Sequence, residues 1–125
     1  MKLLNSFFKI INFYSENIQY SFILELNPEH EIYKAHFPNN PITPGVCILQ
    51  IVKECCAIYL FENKEIQINK IKTIKFLNPI NPLENPIIFV NIQIEQNKDF
   101  CVISFVFNDG SVNKTFTKAK IQVKI

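Results

Sequence analysis

The chain has 125 residues, 48% of them hydrophobic, with only two glycines and a formal net charge of +2. That is enough apolar material for one substantial core and far from the makeup of a disordered chain. The lysines are scattered among acids and apolar residues, which leaves no basic stripe for nucleic acid, and no run reaches the roughly 20 apolar residues of a membrane span. The four cysteines, Cys47, Cys55, Cys56 and Cys101, form no Cys-x-x-Cys pair. Neither a disulfide framework nor a zinc site is expected from them. Near the start, Asn5, Ser6, Lys9 and Asn12 interrupt the apolar residues that follow Lys2, and no small-residue cleavage pattern comes after. An export signal is not expected there, and cytoplasmic residence is the default reading.

In chain order, residues 7–13 and 18–26 read as extended apolar segments joined by a turn at Ser15-Glu16-Asn17. The polar stretch Asn27-Pro28-Glu29-His30-Glu31 reads as a turn, with His30 a loop residue. Next comes His36-Phe37-Pro38-Asn39-Asn40-Pro41-Ile42-Thr43-Pro44-Gly45-Val46, a loop stiffened by three prolines that runs into an apolar helix. Thr43 before Pro44 suggests a hydroxyl N-cap with proline at the first helical position. The helix is expected over residues 44–61. Its apolar residues leave only a narrow polar stripe at Gln50, Lys53 and Glu54, which predicts burial nearly all round.

Everything after the helix reads as strand. Residues 66–77 are β-rich with a bulge expected near Lys70. Ile88, Val90, Ile92 and Ile94 alternate with Phe89, Asn91, Gln93 and Glu95, the pattern of a half-buried strand. A turn at Gln96-Asn97-Lys98-Asp99 leads into residues 100–107, and Asn108-Asp109-Gly110-Ser111 turns into a final strand over residues 112–125. The expected class is α+β, a single domain over residues 1–125 in which antiparallel strands wrap one long helix.

The chemistry concentrates in the proline-rich loop. His36 is a candidate general base, and the amides from Gly45 to Cys47 are the unpaired donors of a helix N-terminus, able to hold an anion or a polarised carbonyl oxygen. A base beside such an oxyanion site is what enolate chemistry requires. A lone histidine is more often structural, but its company of Pro41, Pro44-Gly45-Val46 and the apolar helix favours function here. Cys47, in the first helical turn, is open to two readings: a thiol activated by the helix terminus, or a small packing residue, of which the second is the stronger. Lys53 and Glu54 read most simply as a solvated or interface pair.

This loop resembles the β-hydroxyacyl-acyl carrier protein dehydratases of the FabZ and FabA type, whose motif runs His-Phe-Pro-Gly-x-x-Pro, then Pro-Gly-Val, then a helix carrying Glu or Asp. His36, Phe37, Pro38, Pro41, Pro44, Gly45 and Val46 fall at matching positions. A second block, Lys75-Phe76-Leu77-Asn78-Pro79-Ile80-Asn81-Pro82-Leu83-Glu84, is similar to that family's Arg-Phe-Arg-x-Pro-Val-x-Pro-Gly-Asp segment, with Leu77 and Leu83 in place of Arg and Gly. The resemblance implies a hot-dog fold, an antiparallel sheet wrapped around a central helix. It implies elimination of water from a 3-hydroxyacyl thioester to give a trans-2-enoyl thioester, with His36 as catalytic base and Phe37, Pro44, Gly45, Val46 and Cys47 lining the substrate site.

The position that should carry the family's acid is Gln50. An amide forms hydrogen bonds but delivers no proton at neutral pH. Three readings follow: Gln50 positions a water or the substrate hydroxyl while His36 handles both proton transfers; Glu54, one helical turn away, substitutes for the acid; or the site is dead or completed by another chain. The Glu54 substitution is the least favoured, since a displacement of roughly 5–6 Å between Cβ atoms is large for near-contact chemistry.

The resemblance also implies a homodimer or an oligomer of dimers, with the histidine and the acid contributed by opposite subunits, and allows a heterodimer with a Glu-bearing paralogue. No metal, nucleotide or flavin is called for. The only prosthetic group expected is the phosphopantetheine arm of acyl carrier protein or coenzyme A that carries the substrate. An acyl thioesterase, and a catalytically impaired subunit that binds acyl carrier protein or pairs with a paralogue, remain as alternatives.

Overall fold

The computed structural model describes residues 1–111 and 113–124. In chain order the elements are β1 (Phe8–Glu16), β2 (Gln19–Leu26), α1 (Glu31–Ala35), α2 (Gly45–Tyr59), β3 (Gln67–Phe76), β4 (Ile87–Gln96), β5 (Cys101–Asn108) and β6 (Thr115–Lys124). The six strands form one sheet in the order β1-β2-β4-β5-β6-β3, and every neighbouring pair is antiparallel.

Alternation along the strands selects the face that meets the helix. Phe22 pairs with Val90, Val90 with Phe107, and Phe107 with Thr117. One row further along the sheet, Ile92 pairs with Phe105 and Phe105 with Ala119. All of these side chains are buried. They form one core with Cys47, Ile48, Ile51, Val52, Cys55 and Cys56 of α2. Those six positions recur at helical spacing on one side of α2, so a single stripe enters the sheet's inner face. The hot-dog arrangement expected from the sequence is the arrangement found.

Local details differ from the expectations for physical reasons. The β1–β2 turn lies at Asn17-Ile18, because Ser15 and Glu16 remain paired with Tyr20 and Gln19 and Asn17 supplies the left-handed φ of 56°. The bulge near Lys70 is present, and a second register shift falls between Ile71 and Thr73. Helix α2 ends at Tyr59 with Leu60 as its C-cap. It is buried on one side only, with Val46 63% and Tyr59 44% exposed in the protomer. The final strand begins at Thr115; its expected ends, Val112 and Ile125, lie outside the described residues.

Helix α1 was not expected, since five residues are too few for a periodic signal. His30 is its N-cap, with Nδ1 accepting from the Ile32 amide at 3.1 Å and the ring set edge-on against Phe7. The turn segment is thereby a packed corner. Ile51 is fully buried at the centre of α2, so Ile51→Ala removes core volume that the surrounding sheet cannot refill. It should cost about 2–5 kcal/mol, read as a lower urea midpoint at unchanged slope.

Candidate active site

The two sequence blocks meet in space. The Thr43 amide donates to the Ile80 carbonyl at 2.9 Å, and Asn81 Nδ2 donates to Asn40 Oδ1 at 3.4 Å. A Cβ built on Gly45 would lie 2.8 Å from Phe76 Cζ. Between the blocks opens a cavity of about 350 Å³, lined among others by His36, Pro44, Gly45, Phe76, Asn78 and Thr117.

His36 is held at both ends of its loop. Its amide donates to the Tyr33 carbonyl at 3.2 Å as it caps α1, and its carbonyl accepts from the Ile42 amide at 2.9 Å. Its ring stacks on Phe37, and Nδ1 lies 3.3 Å from the Ile42 carbonyl oxygen. A carbonyl only accepts, so this contact requires the proton on Nδ1. Neutral His36 then keeps its lone pair on Nε2, the nitrogen left to act as a base.

The start of α2 differs from the sequence expectation. Pro44 is the N-cap, without a side-chain capping bond, and Gly45 is the first helical residue. Thr43 does not cap because its hydroxyl is taken by Tyr33 at 2.7 Å inside the core. Burial pushes the Tyr33 hydroxyl far above its usual range, against a smaller lowering from Thr43. Cys47 and Ile48 donate to the Pro44 carbonyl at 3.0 and 3.1 Å. Cys47 is therefore not among the unpaired amides; Gly45 and Val46 remain without a backbone acceptor among the described residues.

The residues singled out from the sequence divide into three groups. His36, Pro44 and Gly45 line the cavity, whereas Phe37 and Val46 are exposed beside it, at 50% and 63%. Cys47 sits in the core, and burial pushes its thiol up, which overturns the activated-thiol reading. Gln50 and Glu54 lie elsewhere on α2. Gln50 Nε2 donates to the Met1 carbonyl at 2.7 Å and to Glu54 Oε2 at 2.8 Å. The Glu54 carboxylate also accepts from the Leu3 and Leu4 amides, both at 2.8 Å. Glu54, read from the sequence as a solvated or interface residue, instead clasps the segment before β1.

Sequence reasoning missed Thr117, which is 1% exposed, lines the cavity and has no hydrogen-bond partner for Oγ1 among the described residues. The signal was there: Thr117, Ala119, Ile121 and Val123 alternate along the last strand, with threonine the single polar member of an inward row. Among the described residues no group of three or more His, Cys, Asp or Glu side chains is arranged to hold a metal, and no helix is long and apolar enough to cross a membrane.

The hot-dog sheet brings a histidine and a helix start to one cavity, and the class this chain falls in is that of the dehydratases. Residues 13–119 match the family described as ApeI-like, ApeI dehydratase, and the chain belongs to that family. It is similar to a 3-hydroxyacyl-[acyl-carrier-protein] dehydratase FabZ of Ehrlichia ruminantium (strain Gardel), 37% identical over 73 residues, which is 53% of this chain and 50% of that protein. The chain thus spans about half the length of the curated relatives it matches. Among solved structures, a chain of the dehydratase heterocomplex ApeI:P from Xenorhabdus doucetiae superposes with a TM-score of 0.71 at 19% identity, covering 93% of this chain and 96% of that one. A hypothetical thioesterase with coenzyme A from Streptococcus pneumoniae TIGR4 gives 0.64 at 8% identity, covering 94% and 84%. These two likenesses show the fold.

Two consequences can be measured. Glu54→Ala leaves the Leu3 and Leu4 amides without their acceptor, so it should cost about 1–3 kcal/mol and speed hydrogen exchange at those two amides while the central strands stay protected. Burial raises all four thiols above the ordinary value, Cys56 up to about 12. Thiols that stay protonated in the folded protein but ionise in the unfolded chain stabilise the fold fully below about pH 9, and that stability is lost as pH rises from there towards about 12. Alkaline titration followed by circular dichroism should show this loss, and a disulfide reagent at neutral pH should label the four cysteines only after unfolding.

Proposed function

We propose that this chain eliminates water from a 3-hydroxyacyl thioester, carried on acyl carrier protein or coenzyme A, to give the trans-2-enoyl thioester in fatty-acid or related lipid or polyene synthesis. The observation that carries the reading is the pairing of His36 Nδ1 with the Ile42 carbonyl beside the start of α2. It leaves Nε2 as the base for the C2 proton, while the Gly45 and Val46 amides are the donors for the thioester oxygen as negative charge develops on it. As the C3–O bond breaks, the electron pair from C2 forms the double bond. The leaving oxygen takes the proton that His36 has gained, departing as water and restoring the neutral ring.

Gln50 stands at the family's acid position, and in this reading it acts from the opposite subunit of a homodimer or larger assembly, as a hydrogen bonder and not as a proton donor. Glu54 is not assigned the acid role, because its oxygens are engaged by Leu3, Leu4 and Gln50. No cofactor is required beyond the substrate's own phosphopantetheine arm, and the reading keeps the protein in the cytoplasm.

A second reading is favoured by the engagement of the Gln50 amide with Met1 and Glu54: a subunit that holds the acyl chain and relies on a Glu-bearing partner for the acid. The ApeI:P heterocomplex supports it as a precedent of assembly in a similar fold. Dehydration of a 3-hydroxyacyl-acyl carrier protein, followed by mass, separates the two. Turnover by the native protein that falls by about 10²- to 10⁴-fold in His36→Ala is the expected result. No native turnover with recovery in Gln50→Glu would favour the subunit reading, and no turnover in either would overturn both.

A further inference from the structure

Thr117 is a buried hydroxyl that the fold leaves unpaired. It faces inward from β6 between Phe76 on β3 and Phe107 on β5, its direct cross-strand partners. It is 1% exposed, lines the same cavity as His36 and Gly45, and Oγ1 finds no partner among the described residues. Burying a hydroxyl without a hydrogen bond is costly, and a valine of nearly the same shape would fill this place in an apolar row without that cost. Such a group in a cavity that contains a base and a helix start points to a ligand that supplies the missing partner.

Resting on the dehydratase reading of this cavity, we propose that Thr117 Oγ1 binds the 3-hydroxyl group of the substrate and thereby selects hydroxylated acyl chains. Three polar demands come with a 3-hydroxyacyl thioester, and three polar groups of this protomer answer them. The C2 proton goes to His36 Nε2, the thioester oxygen to the amides that open α2, and the 3-hydroxyl to Thr117. Gln50 and Glu54 do not compete for it within the protomer, since neither lines the cavity and both are bonded to the segment before β1. A threonine hydroxyl suits the task because it accepts the 3-hydroxyl's hydrogen. The lone pairs of the leaving oxygen stay open to the proton returned by His36.

The test compares binding of two pantetheine amides by calorimetry: a 3-hydroxyacyl amide, whose C2 hydrogen is too weakly acidic to be removed, and its counterpart without the hydroxyl. The native protein should bind the hydroxylated amide about tenfold more tightly, as one net hydrogen bond provides. Thr117→Val should abolish that preference while keeping the affinity for the deoxy amide, and should raise the Tm of the unliganded protein by about 3 °C, because it removes an unpaired buried hydroxyl. Thr117→Ser should keep the preference.

A preference that survives in Thr117→Val overturns the assignment, as does a Tm that falls on that substitution, which would mean the hydroxyl is already satisfied by a structural water. Equal native affinity for the two amides also overturns it, yet leaves the dehydratase reading standing. Binding of neither amide would instead remove the dehydratase reading itself, and the role of Thr117 with it.

Discussion

Tyr33 and Thr43 share a hydrogen bond of 2.7 Å inside the core, and the geometry around the cavity depends on it. Thr43 sits in the proline-rich loop and Tyr33 in α1, so the bond ties the loop that carries His36 to the corner packed on Phe7, whose ring stacks on Tyr33 at 4.7 Å. The Thr43 amide is bound at the same time to Ile80. One residue thus joins the short helix, the histidine loop and the β3–β4 connection. Because Thr43 immediately precedes the N-cap, the same contacts fix where α2 starts and hence where the Gly45 and Val46 amides stand. Both hydroxyls are buried, so separating them would leave two polar groups without water, a penalty larger than the net worth of the bond.

Much of this was legible in the sequence because it rests on local rules. The alternation of Ile88, Val90 and Ile92 marked β4, and the apolar run through α2 marked one long helix, although the sequence pointed to burial nearly all round where the protomer buries one side. The proline pattern around His36 marked a stiff loop, and the loop is closed by paired hydrogen bonds between His36 and Ile42. What could not be read were choices made by distant partners. Thr43 has the chemistry of an N-cap, and only the presence of Tyr33 beside it diverts its hydroxyl. Glu54 has the look of a surface acid, and only the return of residues 1–4 across α2 turns it into a backbone acceptor. His30 acts as a cap through a ring nitrogen, a use of histidine that composition does not announce.

The cavity has the economy that the proposed function calls for. Its wall is largely apolar, supplied by Ile42, Ile48, Phe76, Leu77 and Ile80, and its polar groups are few. Gly45 lets the Phe76 ring close over the start of α2, since any Cβ there would push that ring aside. Phe76 and Leu77 are themselves at least half exposed in the protomer, as are Phe37 and Val46 next to the cavity. These four apolar side chains surround the functional groups on the side that the protomer leaves open. That arrangement suits the dimeric site of the proposed function, in which a second subunit covers the mouth and excludes water from the enolate.

The amide at position 50 also bears on Glu54. Gln50 Nε2 donates to Glu54 Oε2 at 2.8 Å, so an acid at position 50 would set two carboxyl groups against each other. Like charges at that separation do not both stay ionised; one holds a proton to a higher pH. With glutamine the pair is content as it stands, the amide donating and the carboxylate accepting. Gln50 is a poor acid because it is an amide, and a good clasp because of this contact.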